Sequence, residues 1–164
     1  MRKLIPKRLK HVCMKSLLFL FLMPLSGFVP GKRSSSIDPT GTYRLKGIVK
    51  NNRTIGHSGE LRVRLLDEHS VALCFYINAG YPNYRSGTLL DTLAYDGDRA
   101  EYHPRQDTSC EIYFYFEPLQ VKLMQVMSNP QSGCGFAPGV FAPVAFPKVS
   151  SEIPIIQSLE GHGS

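Results

Sequence analysis

From residue 42 onward, apolar and polar positions alternate along much of the chain with a period of two. The alternation is cleanest at residues 110–117, where Cys110, Ile112, Phe114 and Phe116 fall on one face and Glu111, Tyr113, Tyr115 and Glu117 on the other. A period of two predicts a half-buried β-strand. Pro118 breaks the run because proline has no N–H to give a ladder. Residues 121–127 then predict a second strand, and the turn-rich stretch 128–133 leads to Cys134. A hairpin would bring Cys134 back beside Cys110. A disulfide between them closes a loop of about 25 residues and contributes roughly 3 kcal/mol by loop entropy.

The same reading extends to the rest of the chain. Residues 42–50 predict a first strand with Tyr43, Leu45 and Val49 inward, and 51–58 read as a polar turn. Residues 61–65 alternate with Arg62 and Arg64 outward, and 71–78 form their hairpin partner. A longer loop, 78–87, precedes a strand over 88–95. Asp96-Gly97 is a type I′ hairpin signal, with 99–103 as the returning strand. Residues 140–149 predict a last strand, which Pro143 and Pro147 restrict to an edge. Ile153-Pro154-Ile155-Ile156 is read as a docked segment. No stretch has helical periodicity. About eight short antiparallel strands with regular turn signals predict an all-β fold. A small antiparallel barrel is preferred because closure removes exposed edges, and a β-sandwich is the alternative.

The first 31 residues change the charge picture. Arg2, Lys3, Lys7, Arg8, Lys10 and Lys15 precede an apolar run at 17–23, the layout of a secretory signal peptide. Cleavage after Gly31 or after Gly27 both fit, and so does a start at Met1 or at Met14. The apolar run is shorter than the ~20 residues a helical span needs, so no stable membrane span is expected in the mature chain. The full chain carries 19 Lys and Arg, 13 Asp and Glu and a net charge of +6, but the six basic residues named above belong to the leader. What remains is formally neutral, which removes the support that a high isoelectric point would lend to a nucleic-acid partner. The expected organisation is a signal over 1–31, a linker over 32–41, a barrel domain over 42–156 and a flexible tail over 157–164. Export to the periplasm or beyond suits a disulfide. Of the cysteines left after cleavage, Cys110 and Cys134 are the expected pair and Cys74 a buried free thiol.

Tyr84-x-Ser86-Gly87-x-x-x-Asp91-Thr92-Leu93-x-Tyr95, Ala100-x-Tyr102, Ser109-Cys110-x-Ile112-x-Phe114-x-Phe116, Cys134-Gly135-Phe136 and Gly139-Val140 together resemble a pattern found in small secreted proteins of Gram-negative bacteria. Those proteins end in a Cys-Gly-Phe-Gly-type motif followed by a short strand. The resemblance covers roughly residues 80–156, including Ser150-Ser151-x-Ile153-Pro154. This chain departs from it at Ala137, which stands where the second glycine would be, at Pro143-Val144 in place of an Asp-Gly turn, and at Phe146 in place of a tyrosine. The layout is similar to that of small β-barrel lysozyme inhibitors of the periplasm. The resemblance implies fold and compartment and transfers no catalytic residue.

The candidate contact surface is the loop bearing Tyr81, Asn83, Tyr84, Arg85 and Ser86. Tyrosines give amphipathic area at low entropy cost, arginine gives a fork of donors, and Asn and Ser adapt. The alternative is that Tyr81 or Tyr84 plugs the barrel mouth. Asp91, Asp96, Asp98 and Glu101 lack the spacing of a calcium loop, and no metal or cofactor is expected. His57, His69 and His103 have no nucleophile motif beside them, so no catalytic residue is assigned. Tyr113, Tyr115 and Glu111 form an outward stripe best explained by cross-strand packing. Phe75, Phe114, Phe116, Leu73 and Leu123 are large enough to fill an eight-stranded barrel. The expectation is a secreted or periplasmic, non-enzymatic binding protein with a protein partner, for example a cell-wall-active enzyme such as lysozyme. A lipocalin-like carrier of a small apolar ligand and a structural envelope protein are the alternatives.

Overall fold

A computed structural model describes residues 36–141 and 143–157. The leader at 1–31, the first part of the linker and the last seven residues of the chain lie outside the described residues. Ten strands form: β1 Gly41–Leu45, β2 Ile48–Lys50, β3 Arg53–Ile55, β4 Ser58–Asp67, β5 Ser70–Asn78, β6 Ser86–Tyr95, β7 Arg99–Tyr102, β8 Cys110–Glu117, β9 Gln120–Met127 and β10 Ala145–Ser150. Eight of them close an antiparallel barrel in the order β1-β10-β9-β8-β7-β6-β5-β4, and β2 and β3 make a separate two-stranded sheet. The expected all-β barrel is therefore the fold.

Alternation decides which side chains face inward. On β8, Cys110, Ile112, Phe114 and Phe116 are buried, and the intervening residues are partly exposed. β5 sends Val71, Leu73, Phe75 and Ile77 into the same core. Phe75 lies at its centre, with ring centroids 5.9 Å from Phe114 and 5.7 Å from Phe146. Each such side chain, fully buried, contributes about 1.5–3 kcal/mol of transfer free energy. The interior is packed by these aromatic and aliphatic side chains.

Three boundaries differ from the sequence reading. The predicted first strand splits at Lys46-Gly47, so Val49 belongs to the small outer hairpin and is 73% exposed instead of facing inward. The stretch 51–58 is not only a turn. Asn51 and Asn52 have φ of 50° and 56°, which is the two-residue type I′ geometry, and Arg53–Ile55 returns as β3. The last strand begins only at Ala145, and it is not an edge. β10 lies between β9 and β1, pairing through Ala145–Pro147 on one side and through Thr42 and Tyr43, across a register shift, on the other. Proline shortens and distorts this seam without opening it. The Asp96-Gly97 hairpin forms, but only Gly97 has positive φ, at 70°, and Asp98 N–H donates to Asp96 O at 2.7 Å. The turn is tighter than type I′.

The barrel has two unlike ends. At one, β4–β5, β6–β7 and β8–β9 are joined by short turns. Residues 36–40 cross that end as a strap: Ile37 N–H donates to Gly97 O at 2.7 Å, Tyr43 Oη donates to Pro39 O at 2.8 Å, and Tyr95 Oη faces both Ile37 O and Gly97 O. At the other end lie the β2–β3 hairpin, loop 79–85, loop 103–109 and the long connection between β9 and β10.

Candidate functional site

The long-loop end holds the residues singled out in the sequence. Tyr81, Asn83, Tyr84, Arg85 and Ser86 are all exposed. The loop has its own internal bonding. Ala79 N–H donates to Arg85 O at 2.9 Å and Tyr84 N–H to Gly80 O at 2.8 Å. Asn78 closes it from below, its Nδ2 donating to Tyr84 O at 3.0 Å and its Oδ1 accepting from Gly80 N–H at 2.8 Å. The Tyr81 and Tyr84 rings meet edge to face, with centroids 6.4 Å apart. Tyr84 holds a φ of 48°, a left-handed conformation that a residue with a Cβ adopts at a cost of about 1–2 kcal/mol.

Neither tyrosine plugs the barrel. They are 44% and 45% exposed. The mouth is filled instead by Phe136, buried against Phe75 at 6.2 Å and Phe141 at 6.1 Å between centroids. Gly87 is what admits that ring, since a Cβ there would lie 2.1 Å from Phe136 Cδ1. Phe136 is positioned by the disulfide. Cys110 and Cys134 are bonded with Cα atoms 5.3 Å apart, a usual separation, and Gln125 Nε2 approaches their sulfurs at 3.4 and 3.1 Å. Asp107 ties the neighbouring loop to the same connection, accepting from Ser109 Oγ at 2.6 Å and from Ser132 Oγ. Those two hydroxyl bonds hold the Asp107 carboxyl below its usual range. Arg85 reaches across as well, its Nη1 donating to Pro138 O at 3.2 Å.

The β2–β3 hairpin joins this surface, a feature the sequence reading missed. Tyr81 N–H donates to Thr54 O at 2.7 Å, Ile55 and Tyr81 form an isolated parallel bridge, and the Arg53 guanidinium sits 4.5 Å from the Tyr81 ring centroid. Gly80 permits the approach, because a Cβ there would stand 2.4 Å from Gly56 O. The signal was present in the sequence: Ile-Val-Lys and Arg-Thr-Ile flank an Asn-Asn pair, and asparagine tolerates the left-handed region.

Charge separates the two ends. Connections 46–57, 79–85, 103–109 and 128–144 contain Lys46, Lys50, Arg53, Arg85 and Arg105 against one acid, Asp107. Among the described residues none of these five cations forms an ion pair. The strap and short turns at the opposite end contain Asp38, Glu68, Asp96 and Asp98 and no Lys or Arg, and the adjoining strand ends add Asp67, Glu117 and Arg99.

The other groups weighed in the sequence are scattered. His69 lies in the turn between β4 and β5, and His57 lies at the foot of the β2–β3 hairpin. His103 lies between Glu101 and Glu111, at 3.4 and 3.6 Å. Asp91 is on the outer wall of β6, Asp96 and Asp98 are in the next turn, and Glu101 pairs with Arg99 at 2.6 Å. Tyr113 and Tyr115, two residues apart on β8, stack at 6.0 Å on the outer wall, and across the strand pair the Arg99 guanidinium of β7 lies 5.6 Å from the Tyr113 ring centroid. No protein-family model, curated protein or solved structure matches the chain.

Proposed function

We propose that this chain is a non-enzymatic binding protein, secreted or periplasmic, that engages a partner protein through the loop carrying Tyr81, Asn83, Tyr84, Arg85 and Ser86. The observation that carries the reading is the state of Tyr84. Its ring is nearly half exposed, and its backbone sits in a disfavoured conformation within a hydrogen-bonded loop. Strain at an exposed aromatic side chain is the pattern expected where a surface is pre-shaped for a partner. A cell-wall-active enzyme such as lysozyme is the concrete partner, consistent with export through the leader. The aromatic packing of the barrel around Phe75 weighs against a lipocalin-like carrier.

The test is capture from envelope extract and from a panel of purified peptidoglycan-cleaving enzymes, using the exported chain and its Tyr84→Ala/Arg85→Ala variant as baits. An enzyme held by the unmodified loop and released by the variant is the expected result. Equal retention by both baits would place the contact elsewhere, and capture of nothing from either source would defeat the reading.

A further inference from the structure

The β2–β3 hairpin is the part of the long-loop end that the loop reading does not use. Its side chains are arranged unusually. Ile48 pairs with Ile55 and Lys50 with Arg53, while Val49 pairs with Thr54. Cross-strand partners share a face and adjacent residues take opposite faces. Ile48 and Ile55 therefore lie on one face and Val49 on the other. Ile48 is 71% exposed and Val49 73%, so each face has an uncovered aliphatic side chain. Lys50 and Arg53 flank the Asn51-Asn52 turn at the tip. Three strand residues at about 3.3 Å each give the finger a reach of about 10 Å.

A flat partner could cover one face and would leave the other in water. An occupant that covers both must surround the hairpin. A lipid bilayer surrounds what it takes up, but the tip here is the Asn51-Asn52 turn flanked by Lys50 and Arg53, and burial of such charges in hydrocarbon costs at least about 2.5–3.5 kcal/mol each. A protein cleft with apolar walls and an acidic floor satisfies both the shoulders and the tip. Enzymes that cleave glycans contain such a floor, because most use a pair of carboxyl groups flanking the scissile bond.

We propose that the β2–β3 hairpin is a cationic finger that enters an acidic cleft of the partner protein, Lys50 and Arg53 meeting carboxylates at its floor and Ile48 and Val49 meeting its two walls. This rests on the function proposed above and makes the hairpin, with loop 79–85 beside it, the inserted element. It sets the sign of the partner: opposite charges on the two surfaces speed encounter and suppress wrong partners.

The experiment measures binding of the full exported chain to the peptidoglycan-cleaving enzymes of the panel, to vesicles rich in phosphatidylglycerol and to duplex DNA, at low and high salt. Near-ultraviolet circular dichroism verifies that each variant keeps the barrel. Lys50→Glu/Arg53→Glu is expected to weaken enzyme binding at least tenfold, with the loss shrinking as salt screens the tip. Ile48→Ser and Val49→Ser, made separately, are each expected to weaken it severalfold. Sensitivity to only one of these two would mean docking on a single face and would overturn the cleft. Enzyme binding that survives the charge reversal would sink the finger and leave the loop reading standing. Charge-dependent binding to vesicles or DNA with none to enzymes would overturn both, as would no binding to any probe.

Discussion

Two tyrosines illustrate how single residues set the character of each barrel end. Tyr84 combines an exposed ring with a left-handed backbone. Glycine carries no Cβ penalty there. Tyr84→Gly should therefore leave thermal stability unchanged or raise it by up to about 1 kcal/mol, while weakening partner capture in the same direction as the Tyr84→Ala/Arg85→Ala variant. A clear loss of stability, read by thermal melting, would show that the ring supports the fold instead of a partner. Tyr95 acts at the opposite end, where its hydroxyl faces the carbonyls of Ile37 and Gly97. Burial, and then the nearby charges of Asp98 and Asp38, push its pKa from 10.0 up to about 12. A raised folded pKa means that the neutral phenol binds its proton more tightly in the folded chain. That stabilisation is complete below pH 10.0 and is lost as pH rises through about 12. Alkaline titration should show stability declining across that window, with phenolate absorbance appearing late. Tyr95→Phe should reduce that decline, leaving the part due to Tyr43, Tyr102 and Tyr113, whose pKa values are also raised, and should cost about 1 kcal/mol at neutral pH through lost hydrogen bonding.

At the scale of elements, the disulfide does more than close a loop. It fixes the β9–β10 connection so that Phe136 fills the mouth over Gly87. Replacing Cys110 and Cys134 together by serine should cost roughly 3 kcal/mol from loop entropy. It should also loosen Phe136, so hydrogen exchange should rise in 128–141 and at the β6 start while β4 and β5 stay protected. Uniform loss of protection would instead mean that the bond supports the whole barrel. The pairing was legible in the sequence because strict alternation on 110–117 fixed the strand, and a hairpin returns the chain to its start. The β2–β3 hairpin was not, because Val49 continues the alternation of Tyr43 and Leu45 across Lys46-Gly47, and a pattern of inward positions does not record where the strand leaves the sheet. β10 was only half legible. Pro143 and Pro147 argue for an edge, but barrel closure depends on long-range pairing with β1, which local pattern does not encode. Among the site residues, the exposed composition of 81–86 was readable, whereas its contact with Arg53 depends on Gly80, a close approach visible only in three dimensions.

At the scale of the molecule, the described segments before β1 and after β10 cover the barrel in different places. Residues 36–40 cross the acidic end, and the segment after β10 turns back along the outer wall. Cys74 registers that second contact. Its neighbours Leu73 and Phe75 face the core, so its side chain faces outward, yet it is only 1% exposed, and it has a hydrogen-bonding contact with the Gln157 backbone. Burial pushes its pKa up, which further lowers the reactive thiolate fraction. In the intact chain an alkylating reagent should label Cys74 slowly, at the rate of local opening. Ending the chain after Glu152 should uncover the thiol and speed labelling by about tenfold or more, because access would no longer wait on release of the tail. The barrel should remain folded, since its strands end at Ser150 and Ile153 and Ile155 are largely exposed. Intact mass against time, in native buffer, provides the measurement. Unchanged labelling after truncation would mean that Arg62 and Tyr76 on the outer wall shield the thiol by themselves. Faster labelling would mean that the tail is a detachable cover on the outer wall.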